Sequence, residues 1–118
     1  MSFQRASELI SKISTPGDRW IAQRVLEMAE MLPRIAADQH EEVVAEIHTL
    51  SGRLEYVFDD DFGAVVLEEA GDEASGAQRR YLYRHALYRA TWCAQAATAG
   101  GEGIARSLRI ERIRAKLA

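Results

Sequence analysis

The sequence has little cysteine, little proline and no long apolar run. Its 118 residues include one cysteine, Cys93, and two prolines, Pro16 and Pro33. A single cysteine excludes an intramolecular disulfide and a zinc site built from several cysteines. No apolar run approaches the roughly 18 residues of a membrane span, and the first residues lack the apolar stretch of a signal peptide. We therefore expect one domain, residues 1–118, located in the cytoplasm and without a membrane partner.

The spacing of the apolar residues predicts helices. Hydrophobic residues make up 47% of the chain and charged residues 28%, which is ordinary for a globular protein. Apolar side chains recur at intervals of three and four, as in the stripe from Ile21 to Ile35, and not at intervals of two. The sequence thus predicts an all-α fold: a compact bundle of about five helices, with a long basic fourth helix over residues 76–99 and a short basic C-terminal helix.

Capping signals indicate where individual helices begin and end. Thr15, Asp38 and Ser75 are predicted N-caps, because each precedes an acidic residue or glutamine at the third helical position. Pro33 should end or kink the second helix early. Gly71 should end a short helix of about two turns.

Charge is distributed unevenly along the chain. Residues 1–75 carry six basic and sixteen acidic side chains, a net charge of −10, whereas residues 76–118 carry nine basic and two acidic ones, a net charge of +7. Such asymmetry suggests a polyanion partner, but the overall pI of 5.6 is low for a nucleic-acid-binding domain. We expect the basic third to fold onto the acidic two-thirds, within one chain or across a dimer. Eight of the nine basic residues are arginine, which favours recognition of carboxylate or phosphate.

The long basic helix carries aromatic rings along one sector, with arginines on both sides. Such a stripe belongs to the core more often than to the surface. Aromatic residues together with arginine are also enriched at protein interfaces, and would suit a flat, negatively charged ligand. For His85 we favour a hydrogen bond within the core over a pH-sensitive contact. The predicted partner-binding residues are Arg80, Tyr81, Arg84, His85, Tyr88, Arg89 and Trp92.

Catalytic motifs are largely missing. No histidine has a glutamate three residues earlier, so the Glu-x-x-His pair of di-iron bundles is absent. No phosphate-binding loop, dinucleotide-binding glycine pattern or nucleophile elbow is present. Glu41 and Glu42 with Glu46 match only in part the Glu-Glu-x-x-Glu magnesium motif of all-α nucleotide pyrophosphatases, because Glu46 comes one position too late. Glu69 and Asp72 have the spacing of the second motif but fall near a predicted helix end. We expect no catalytic residue, metal site or cofactor, although enzyme activity stays open.

These observations favour a small, non-enzymatic regulatory or adaptor protein. It would act through contacts with a protein partner that has an acidic surface, and would itself be a homo-oligomer. A first alternative is a nucleic-acid-binding protein that uses the basic C-terminal third. A second is a metal-dependent nucleotide hydrolase of the all-α type that uses clustered carboxylates. The residues predicted for nucleic-acid binding are Arg106, Arg109, Arg112, Arg114 and Lys116.

Overall fold

Helices account for nearly all of the chain that the structure describes. The structure is a computed structural model, and it describes residues 3–55, 61–93 and 101–118. These ranges contain no strand, which confirms the predicted all-α class, and they hold six α-helices where about five were expected. The helices are α1 (Gln4–Ser11), α2 (Pro16–Met31), α3 (Ala37–Ser51), α4 (Phe62–Glu73), α5 (Gly76–Tyr88) and α6 (Gly101–Leu117). Within the same ranges, no helix is both long and apolar enough to cross a bilayer.

The two basic helices differ in length from the prediction. The long basic helix is the fifth, not the fourth; its α-helical part ends at Tyr88 and continues as a π-helical turn over Arg89–Cys93. The rest of the predicted helix, residues 94–99, lies outside the described residues. The C-terminal helix α6 is not short, since its 17 residues exceed the 16 of α2. Arg106, Arg109 and Arg112 of α6 bind the π-helical turn and α4, which attaches α6 to the rest of the fold.

Pro33 ends α2 as predicted: α2 stops at Met31, and a 3₁₀ turn follows over Leu32–Arg34.

The predicted N-caps agree with the structure only in part. Thr15 occupies the N-cap position of α2, but its hydroxyl hydrogen-bonds Asp18 at 3.3 Å instead of a backbone N–H. Helix α3 starts before Asp38, with Ala36 at its N-cap. Ser75 is the N-cap of α5, also without a side-chain bond. Tertiary packing therefore sets these helix starts more than capping does.

Helix α4 forms the centre of the fold. Nine of its twelve residues are buried, and it contacts α1, α2, α3 and α5. Gly71 does not end this helix, as the sequence suggested, but lies inside it against the ring of Tyr83, which would be 2.6 Å from an added Cβ. At Gly63 an added Cβ would lie 2.4 Å from Nε of Arg89. Both glycines thus serve the close approach of α5 to the α4 backbone.

A carboxylate from α4 also caps α1. Glu69 accepts hydrogen bonds from the backbone N–H groups of Arg5, at 3.2 Å, and Ala6, at 3.0 Å. These N–H groups lie in the first turn of α1, where no intrahelical partner exists. Burial raises the pKa of Glu69 in spite of these bonds. The start of α1 is therefore stabilised by a residue more than sixty positions away in the sequence.

Candidate functional site

Helix α5 is packed on several sides and leaves one strip of its surface uncovered. Leu82, Tyr83 and Ala86 are buried. Tyr88 and Trp92, four residues apart, are 51% and 78% exposed. Tyr88 and Trp92, the second half of the predicted aromatic stripe, are therefore open to solvent and not sealed in the core.

The first half of the stripe lies against α3 and contains paired histidines. The rings of Tyr81 and His85 are 4.6 Å apart, and Nδ1 of His85 lies 3.0 Å from Nε2 of His48. His85 thus hydrogen-bonds within the chain, as we favoured from the sequence. Burial, followed by the nearby charge of Arg89, lowers the pKa of His48 to about 4, and burial lowers that of His85. His48 is therefore neutral at pH 7, and burial favours the neutral form of His85.

Arg89 requires a correction, because it lies in the interior and not on a partner-binding surface. Its side chain is 4% exposed, and its Nε lies 2.9 Å from Oδ2 of Asp61. It also donates to the carbonyl of His48 at 3.3 Å. Asp61 in turn accepts from the backbone N–H of Ala64 at 2.8 Å and so caps α4. The side of the aromatic stripe that carries Arg89 faces α4, so Arg89 connects the end of α5 to the beginning of α4.

The π-helical turn that carries Trp92 is held from α6. Arg106 donates from Nε to the carbonyl of Ala90 and from Nη2 to the carbonyl of Thr91, both at 2.6 Å. In a π-helix the hydrogen bonds run five residues along the chain, and such turns are frequent at functional sites. Arg106 therefore positions Trp92 at the end of the α5 strip.

Three basic residues of α6 converge on one buried carboxylate. Glu68, 3% exposed, forms an ion pair with Arg109, and its Oε2 lies 2.8 Å from Nε of Arg112 and 2.6 Å from Nζ of Lys116. Burial alone would raise the pKa of Glu68, but the hydrogen bonds from Arg112 and Lys116 and the charge of Arg109 lower it to about 2. The basic third of the chain thus folds onto the acidic part within one molecule, as the charge layout indicated.

The predicted nucleic-acid residues are for the most part engaged within the protein. Arg106 binds backbone carbonyls, while Arg109, Arg112 and Lys116 bind Glu68. Arg114 is exposed and makes no ion pair with any described residue. A phosphate group would therefore compete with existing contacts at four of the five positions.

The carboxylates that the hydrolase alternative would use do not form one site. Glu42 and Glu46 are exposed on α3. Glu69 caps α1, and Asp72 accepts hydrogen bonds from Tyr83 and Lys116. Among the residues that the structure describes, no group of three histidine, cysteine or acidic side chains is placed to hold a metal ion.

A groove of about 530 Å³ lies between the first turns of α3 and α5. The charged side chains that line it, Asp38 and Glu41, are both carboxylates, and neither forms an ion pair with a described residue. Tyr81 contributes an aromatic wall, and burial together with the charge of Glu41 raises its pKa. The sequence analysis missed this groove, because its two sides are about forty residues apart and meet only through packing. The lining residues are Ala37, Asp38, His40, Glu41, Ala77, Gln78, Tyr81 and His85.

The chain matches no protein-family model, no curated protein and no solved structure. The function is therefore inferred from the residues and their geometry.

Proposed function

We propose that this protein is a non-enzymatic regulatory or adaptor protein that binds another protein through the uncovered strip of α5. The α5 strip consists of the exposed residues Arg80, Arg84 and Tyr88, the partly buried Tyr81 beside them, and Trp92 in the π-helical turn that follows α5. The observation that carries the proposal is the exposure of Tyr88, the last residue of α5, and of Trp92, in the π-helical turn that continues it, at 51% and 78%. Tryptophan, tyrosine and arginine dominate the binding energy of protein interfaces, and exposed clusters of large apolar side chains are typical of interaction surfaces.

Arg84 indicates the chemistry of the partner. It is exposed and makes no ion pair with the described residues. Its neighbours are engaged: Arg79 donates to the carbonyl of Ala74 at 2.9 Å, and Arg80 donates to the carbonyl of Leu117 at 3.0 Å. An unpaired guanidinium next to aromatic rings suits a carboxylate. The proposed partner therefore has an acidic surface, and self-association through the same strip is part of the proposal.

The α6 cations give less support to the nucleic-acid alternative. Arg109, Arg112 and Lys116 already neutralise Glu68. Releasing them to bind phosphate would leave a buried carboxylate without a counter-charge, which costs several kcal/mol.

Site-specific photocrosslinking in the cells that naturally produce the protein tests the proposal. Benzoylphenylalanine replaces Trp92 in one variant and Trp20, an equally accessible indole on α2 at 65% exposure, in the control. We expect a protein adduct from position 92 and none from position 20. Arg84→Glu should abolish the adduct, whereas Arg19→Glu, the same charge change at an exposed site of α2, should not.

The mass of the adduct identifies the kind of partner. Twice the mass of the chain indicates a second copy, and another mass indicates a different protein. A nucleic-acid adduct, or the absence of an adduct at position 92, contradicts the proposal.

A further inference from the structure

We infer that the partner of the α5 strip is a second copy of this chain, related by a two-fold axis that runs along α5. Arg84 of each copy then enters the groove of the other copy between Asp38 and Glu41. This inference rests on the proposed function and names the occupant of the strip.

Unpaired charges of opposite sign lie on the two sides of one face. Asp38 and Glu41 line the groove on the α3 side, and neither pairs with a described residue. Arg84 is exposed on the α5 side, also without an ion pair in the described part of the chain. Tyr81, three residues before Arg84 on α5, lines the groove. A face of this kind is complementary to itself, because the basic side of one copy can meet the acidic side of the other.

The direction of the helices determines which symmetry axis is compatible with these charges. Helices α3 and α5 run in the same direction, since the His40 ring lies 6.1 Å from Tyr81 and the His48 ring lies 5.2 Å from His85 and 5.7 Å from Tyr88. A two-fold axis parallel to both helices sets the α5 side of one copy against the α3 side of the other. It leaves each residue at the same height along the helix direction. A two-fold axis perpendicular to the helices would instead set the acidic α3 side of one copy against the acidic α3 side of the other.

The heights of the charged groups also agree. Arg84 is three residues beyond Tyr81, a rise of about 4.5 Å along the helix, and Tyr81 and His85 both line the groove. An axis along the Tyr81 side of α5 therefore brings Arg84 over the partner's groove without any shift along the helix. Tyr88 and Trp92, which continue the same strip, are covered by the second copy as well.

The groove has the size and chemistry that an arginine side chain needs. Its volume of about 530 Å³ lies within the roughly 300–1,000 Å³ of pockets that hold small molecules. Carboxylates accept charge-assisted hydrogen bonds from guanidinium, and the ring of Tyr81 attracts a cation. Two-fold symmetry forms this contact twice in each dimer.

Charge reversal with rescue by mixing tests the inference. Arg84→Glu places like charges opposite one another at both contacts, and Glu41→Arg leaves only Asp38 to offset two guanidinium groups there, so each variant alone should dimerise at least about 100-fold more weakly than the wild type. An equimolar mixture of the two restores opposite charges at both contacts and should dimerise within about tenfold of the wild type. Gel filtration with light scattering measures the mass, and far-UV circular dichroism confirms that each variant is helical.

The control is Glu42→Arg, the same reversal at the next position of α3, which is exposed but does not line the groove. It should dimerise like the wild type. A monomeric wild type at about 100 μM, a mixture that stays monomeric, or an equal effect of Glu42→Arg overturns the inference. A monomeric wild type that still gives an adduct of another mass from position 92 overturns the two-fold dimer and leaves the proposed function standing.

Discussion

Replacing Glu68 by glutamine should destabilise the protein more than any other single loss of charge in the described residues. Glu68 is buried, and Arg109, Arg112 and Lys116 all bind it. Glutamine keeps the shape but removes the negative charge. The buried guanidinium of Arg109 then loses its ion pair with Glu68, and α6 loses three ionic contacts with α4.

Two independent considerations give a similar magnitude. Breaking a buried ion pair by removing one partner costs about 3–5 kcal/mol. The pKa of Glu68 falls from 4.5 to about 2 on folding, which corresponds to about 3 kcal/mol at neutral pH. Because the pKa is lower in the folded state, this stabilisation is complete above about pH 4.5 and is lost as the pH falls toward 2. The stability difference between wild type and Glu68→Gln should therefore shrink over the same interval.

Urea unfolding followed by circular dichroism, at pH 7 and at intervals from pH 6 to 2, measures both effects. The matched control is Glu111→Gln, the same substitution at an exposed position of α6, which should change the free energy of unfolding by less than about 0.5 kcal/mol. A loss below about 1 kcal/mol for Glu68→Gln at pH 7, or a difference that does not change with pH, would refute the reasoning.

Two further predictions concern the packing of α5. Gly71→Ala should lower the free energy of unfolding by about 1–3 kcal/mol, because its Cβ would collide with Tyr83, whereas Gly17→Ala, with no atom within 4 Å of the added group, should leave stability equal or slightly higher. Thermal unfolding compares the two, and equal melting temperatures would contradict the close approach of the helices. His48, whose pKa falls to about 4 on folding, should titrate near that value by NMR. Since the unfolded chain takes up this proton near pH 6.5 and the folded chain only near pH 4, the free energy of unfolding should decline as the pH falls between these values. His48→Gln should make that decline smaller and leave the part that comes from His85, whose pKa burial also lowers. A normal titration of His48 near pH 6.5 would show that it is not buried as described.

The sequence was sufficient to predict those features that depend only on residues close together in the chain. Helix class follows from spacings of three and four residues, since every turn of a helix repeats that geometry. Pro33 ended α2 because the proline ring excludes a helical hydrogen bond within the chain itself. The placement of Tyr81, His85 and Tyr88 on one side of α5 likewise depends only on the α-helical repeat, whereas Trp92 lies in the π-helical turn, which has a different repeat.

The sequence by itself determined that this chain is helical and that Tyr81, His85 and Tyr88 share one sector of α5 with arginines beside it. Only the tertiary structure decided that Arg89 turns inward to Asp61, that three α6 cations meet at Glu68, and that a carboxylate groove lies beside Tyr81. The physical reason is that helical periodicity gives the direction in which a side chain points, whereas the neighbour it meets depends on which helices pack together. The residues in these contacts are separated by 28 to 48 positions in the chain, a distance over which local spacing carries no information.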